Sequence, residues 1–129
     1  LKLIKRLQKE HGMAVLFITH DLGVIAELCD EVVVMYAGQV VERATAADLF
    51  RAPKHPYTKG LLNSIPRLDA KRKSLLNVIE GMVPDFMSLP PGCAFQNRCP
   101  MAVEACKAEQ ALLDAGPSRL SRCARWKDL

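Results

Sequence analysis

Four cysteines near the end of the chain, Cys93, Cys99, Cys106 and Cys123, are the residues whose type and spacing point most directly to chemistry. Five residues lie between the first two, six between the second and third, and sixteen before the last. Four thiolates close either a tetrahedral zinc site or a four-iron, four-sulfur cluster. Zinc sites usually include one ligand pair about two to four residues apart. No such pair occurs here, and the wider spacing suits the larger cluster. Gly92 and Pro100 bend the chain beside the ligands. The fifth cysteine, Cys29, has no partner spacing and reads as a small buried apolar side chain.

The second candidate is His20, which follows the apolar run Ala14 to Thr19. An imidazole delivered to the end of a buried strand can donate a hydrogen bond to a phosphate oxygen. It can equally cap or pack, and position alone leaves both readings open.

These residues need elements to hold them. Residues 1–11 place Leu3, Ile4 and Leu7 on one face of an amphipathic helix that Gly12 closes. The run 14–19 predicts a parallel strand buried on both faces. Asp21 caps a helix running through Leu22, Val24, Ile25 and Leu28 to about Cys29. A second buried strand, 31–36, turns at Ala37 and Gly38 into an antiparallel partner, 39–42. Thr45 caps a short helix through Phe50. Another helix begins at His55, Pro56 and Tyr57, with proline in the first turn, and stops at Pro66. A structural role is favoured for these last three residues. The order helix, strand, helix, strand, hairpin predicts the end of an α/β layer. A basic linker, Arg67 to Lys73, then leads into the proline- and cysteine-rich tail, with a boundary near residues 66–75. The chain therefore divides into 1–66 and 67–129.

Composition excludes several classes. The 129 residues are 50% hydrophobic and only 5% aromatic, with a net charge of +4. The lysines and arginines are scattered, and no aromatic platform for nucleic acid is present. The longest apolar runs fall far short of the ~20 residues that span a bilayer. An odd cysteine count without a leader favours a reducing compartment over a disulfide framework. Starting in mid-helix at Leu1, the sequence reads as a piece of a longer protein. The tail has too few apolar residues for a core of its own, so metal ligation would supply folding free energy.

LFITHDLGVIAELCD at 16–30 and VVMYAGQVVE at 33–42 resemble the switch-histidine region of ABC-transporter ATPase subunits. APKHPYTKGLL at 52–62, Ile65-Pro66, GMVP at 81–84 and the cysteine pattern resemble the tail of the dipeptide and oligopeptide importers among them. The resemblance implies the C-terminal part of a P-loop NTPase-like α/β sheet, followed by a loop-rich, metal-stapled tail. It implies that His20 is the switch histidine contacting the γ-phosphate of ATP, bound with Mg2+. It also implies that Cys93, Cys99, Cys106 and Cys123 hold a four-iron, four-sulfur cluster, with zinc as the alternative. The implied partners are a second ATPase subunit, two transmembrane permease subunits and, indirectly, a peptide-binding protein, at the cytoplasmic face of a bacterial inner membrane. Nucleic acid is not among them. A free-standing metal-binding module without ATPase activity is the rival reading.

In that family the phosphate loop, glutamine loop, signature segment and acidic strand end come before the residues present here. Residues 1–129 alone are therefore expected neither to bind ATP tightly nor to hydrolyse it; micromolar binding of a labelled ATP analogue to this chain would overturn that expectation.

Overall fold

The structure, a computed structural model, describes residues 1–65 and 78–129. The expected boundary at 66–75, the stop at Pro66 and the basic stretch 67–73 lie outside the described residues.

The first helix, α1, spans Lys2–His11 and ends on Gly12, whose φ of 61° is the left-handed conformation that favours glycine. None of its residues is buried. The strand expected over 14–19 is not formed: the segment is unpaired, and Leu16 and Ile18 are 88% and 95% exposed. A strand exists through its ladder, and among the described residues no neighbour supplies one. The next helix, α2 (Leu22–Leu28), begins as expected, with the Asp21 carboxylate accepting from the N–H groups of Gly23 and Val24.

Strands β1 (Glu31–Tyr36) and β2 (Gln39–Thr45) form an antiparallel hairpin. Its turn places Ala37 and Gly38 at φ 46° and 77°, the geometry that two-residue hairpin loops require. β1 was expected to be buried on both faces, but Val33 and Met35 are half exposed, because β1 is an edge strand with only one face on the core. The pairing slips between Val34 and Met35: Val34 opposes Glu42, whereas Met35 opposes Val40. Val41 is the extra residue, and the bulge buries both Val41 and Glu42, which strict alternation would send to opposite faces.

Helix α3 (Ala46–Arg51) is capped by Thr45, whose hydroxyl oxygen accepts from Asp48 N–H at 3.1 Å. Helix α4 (Pro56–Asn63) starts with proline in its first turn and is capped by the His55 imidazole. From the tail come β3 (Leu113–Asp114) and β4 (Leu120–Ser121), joined by a short turn, with 3-10 turns before and after the pair. The sheet order is β1-β2-β4-β3 and all its pairings are antiparallel, where a parallel α/β layer was expected. The fold remains α/β, with the last strands of the tail extending the hairpin of the first half.

Two apolar clusters pack on this sheet, and the half-buried Val34 touches both. Val32, Ala44, Ala46 and Leu49 form one, beneath the half-buried Ile25 and Cys29. Tyr36, Val41, Ala94 and Phe95 form the other. There the rings of Tyr36, Tyr57 and Phe95 meet at centroid distances of 4.7–5.4 Å, which aromatic pairs prefer.

Between the clusters lies a buried polar clasp. Glu42 is wholly buried, and its Oε1 accepts from Lys54 N–H at 2.7 Å. Ser121 Oγ, also buried, donates to the Lys54 carbonyl at 2.6 Å. Burial raises the Glu42 pKa, and the Lys54 N–H, the Thr58 hydroxyl, Arg119 and the His55 N–H oppose that rise. Thr58 is near enough to act on the carboxyl, yet Thr58 Oγ1 and Glu42 Oε2 do not reach hydrogen-bond geometry with any group.

Glu42→Ala orphans the Lys54 N–H and is expected to cost about 1–3 kcal/mol in denaturant unfolding. Glu42→Gln keeps an acceptor and should preserve the fold. A raised folded pKa means that the Glu42 contribution is fullest below the unfolded value of 4.5 and is lost as pH rises through the folded value. The stability of Glu42→Gln relative to wild type should therefore increase from pH 4 to pH 7 in a series of unfolding midpoints.

Candidate functional site

His20 sits on the bend between the unpaired segment and α2, with its imidazole exposed to solvent. Local hydrogen bonds shape that bend. Thr19 Oγ1 accepts from Asp21 N–H at 3.0 Å, and Asp21 Oδ1 accepts from Gly23 and Val24 N–H at 2.8 and 3.1 Å. The backbone carrying His20 is thereby braced on its C-terminal side, and the ring is free to meet a ligand.

The four tail cysteines, which the sequence spreads over 31 positions, are gathered around one small cavity. Each arrives on its own short turn. Gly92, at φ 80°, delivers Cys93, whose N–H donates to the Cys106 carbonyl at 2.8 Å. The turn Gln96–Arg98 ends on Cys99, the turn Glu104–Lys107 carries Cys106, and Cys123 follows β4 by two residues. The cavity is only about 10 Å³, and His55, Gln96, Met101, Gln110 and Arg125 complete its wall. All five cysteines of the chain are free thiols.

The thiols are shielded from water. Cys106 and Cys123 are each 8% exposed, and Cys93 and Cys99 are half-buried. Burial pushes the Cys93 and Cys99 thiols up and takes Cys123 to about 11. Backbone N–H groups work the other way: Met101 donates to Cys99 Sγ at 3.4 Å and Arg125 to Cys123 Sγ at 3.3 Å. These donors suit a sulfur that carries negative charge.

Among the described residues, no three His, Cys, Asp or Glu side chains are grouped tightly enough to hold a single metal ion. A tetrahedral zinc site with Zn–S bonds of ~2.3 Å needs its sulfurs within about 3.8 Å of one another. The four thiols line one cavity, a donor set that zinc sites and polynuclear clusters both use.

The basic residues of the tail are engaged with the protein. Arg122 donates from Nε to the Val40 carbonyl and from Nη1 to the Gln110 carbonyl, at 2.8 and 2.7 Å. Arg98 reaches the carbonyls of Ile79 and Glu80, and Lys107 pairs with Glu104. Arg125 pairs with Asp128 and donates to the Met101 carbonyl. Even so, Arg122 and Arg125 favour charge on Cys93 and Cys99 respectively.

His55 is more deeply placed than its position before a helix indicated. It is 1% exposed, its Nδ1 accepts from Tyr57 N–H at 3.1 Å, and the Arg122 carbonyl accepts from its other nitrogen. Burial lowers its pKa to about 4, so the ring is neutral at ordinary pH. Glu42 was missed altogether, because its burial depends on a bulge that leaves no mark in the alternation of residue types.

Residues 41–106 match the family described as oligopeptide/dipeptide transporter, C-terminal region. Across the whole chain, a Brucella ovis protein named for peptide import and ATP binding is 51% identical over 135 residues, 40% of its own length. The oligopeptide transport ATP-binding protein AppD of Bacillus subtilis is 49% identical, over 99% of this chain and 39% of that protein. The corresponding protein OppD of Escherichia coli is 46% identical, over 95% of this chain and 36% of that protein. The chain thus spans about 40% of the length of the curated relatives it matches. With half of its residues matched by the family and the rest covered by these relatives, the chain belongs to the C-terminal region family of oligopeptide and dipeptide transporters.

Proposed function

We propose that this chain is the C-terminal part of the ATP-binding subunit of a bacterial peptide importer, with His20 contacting the nucleotide and a four-iron, four-sulfur cluster held by Cys93, Cys99, Cys106 and Cys123. The observation that carries the reading is the match to the transporter family through residues 41–106, supported by 46–51% identity to peptide-transport ATP-binding proteins. The full protein would work with a second ATPase subunit and two membrane permeases, taking peptides from a binding protein. No helix among the described residues is long and apolar enough to cross a membrane, so attachment would be through the permeases.

ATP with Mg2+ supplies the phosphoryl group and the charge that drives closure of paired ATPase subunits. In this chain His20 would offer an imidazole N–H to a phosphate oxygen. Asp21, by capping α2, holds the bend that aims it. The remaining phosphate contacts would come from residues outside this chain.

A cluster would supply a rigid cross-link with four attachment points. Cys93, Cys99 and Cys106 lie on turns without a ladder of their own, and Cys123 follows the strand that pairs with β2. Ligation would tie those turns to the sheet and stabilise a segment otherwise poor in apolar contacts.

In the full-length protein, His20→Ala should retain nucleotide binding while losing ATP turnover on the order of 100-fold, the usual effect of removing one charge-stabilising donor. Unchanged turnover would remove His20 from the mechanism.

The cluster is tested separately. Protein purified without oxygen should show visible absorbance from thiolate-to-iron charge transfer and about four irons per chain, both lost in Cys123→Ser. Stoichiometric zinc without iron would sink the iron-sulfur assignment.

A further inference from the structure

The four cysteines are not equivalent, and one pair is joined through its backbone. Cys93 N–H donates to the Cys106 carbonyl at 2.8 Å. The bond brings the two backbones into direct contact, as a disulfide requires, since its Cα atoms lie roughly 4.4–6.8 Å apart. Gly92 independently reports the same close approach. A Cβ at that position would lie 2.3 Å from the Cys106 carbonyl oxygen and 2.6 Å from that of Ala108, so only glycine lets the two segments touch.

The other two cysteines lack such a link. The Cys99 N–H turns back to Gln96, and the Cys123 carbonyl accepts from Trp126.

We propose that Cys93 and Cys106 form a reversible disulfide when their thiols are not bound to metal, which makes this pair an oxidation-sensitive lock on the tail. The proposal does not depend on which metal the pocket takes. The co-reactant is a small-molecule disulfide. Cys93, the more exposed of the two, attacks it as thiolate, forming a mixed disulfide and expelling one small thiolate. The Cys106 thiolate then attacks the Cys93 sulfur and expels the second. Two protein thiols become one disulfide, and the reagent leaves as two thiols carrying the two protons. With Cys93 and Cys106 cross-linked, half of the ligand set is withdrawn, and no four-thiolate site can assemble until a reductant reopens the bond.

The test uses the full-length protein, as purified and after metal removal by a chelator under reductant. Each sample is treated with oxidised glutathione, its remaining thiols are alkylated, and cross-linked peptides are mapped by mass spectrometry. The chelated protein should give a dominant Cys93–Cys106 link that dithiothreitol reverses. Cys106→Ser should abolish the link without creating another pair. Gly92→Ala, confirmed folded by circular dichroism, should lower its yield although every cysteine remains. A Cys99–Cys123 or Cys93–Cys99 link at equal or greater yield would overturn the proposal, as would recovery of all four cysteines alkylated. Iron content in anaerobically purified protein reads the cluster assignment separately, so the two can fail independently.

Discussion

The structure depends on three consecutive residues of β2. Val40 and Val41 offer their carbonyls to the side chain and the backbone N–H of Arg122, and Glu42 accepts the N–H of Lys54 while standing opposite Ser121. Through these few bonds one strand holds the segment before α4, the last strand of the tail and the turn that carries Cys123. The bulge at Val41 makes this possible, since it turns two neighbouring side chains toward the same interior. A buried carboxylate is costly unless its partners are in place. Here backbone N–H groups, a serine and an arginine converge on that region, and the cost becomes a reason for the chain to adopt one arrangement.

The cysteine pocket inherits its position from this clasp. Arg122 lies between Ser121, which pairs in the sheet, and Cys123, which lines the cavity, so sheet and site share an uninterrupted stretch of backbone. His55 joins them from the other side, capping α4 while its second nitrogen faces the Arg122 carbonyl. Phe95 packs near His55 and against Tyr36 and Tyr57, fixing the turn between Cys93 and Cys99. The tail has little core of its own and borrows that of the hairpin. The thiols of Cys93, Cys99 and Cys123 are dry enough to be protonated on their own, and Cys99 and Cys123 are supplied with N–H donors that suit them when charged.

Much of the local structure was legible in residue types. Gly12, Asp21, Thr45 and Pro56 mark helix ends through interactions with the nearest few residues, and each does so in the structure. The hairpin at Ala37 and Gly38 was equally clear. The apolar run 14–19 misled because a strand needs a neighbour as well as a pattern. The valine run of β1 suggests burial on both faces, because such a run does not reveal which face will be covered.

The sequence by itself determined which residues could do chemistry, where most helices begin, and the family, because all three are written in residue identity and short spacing. Only the tertiary structure decided that residues from Cys93 to Cys123 meet around one cavity, that Cys93 and Cys106 are backbone neighbours, and that Glu42 is buried. Those outcomes depend on long-range pairing of β2 with β4 and on a one-residue bulge. Their free energy comes from contacts between residues 12 to 82 positions apart, which no local pattern records.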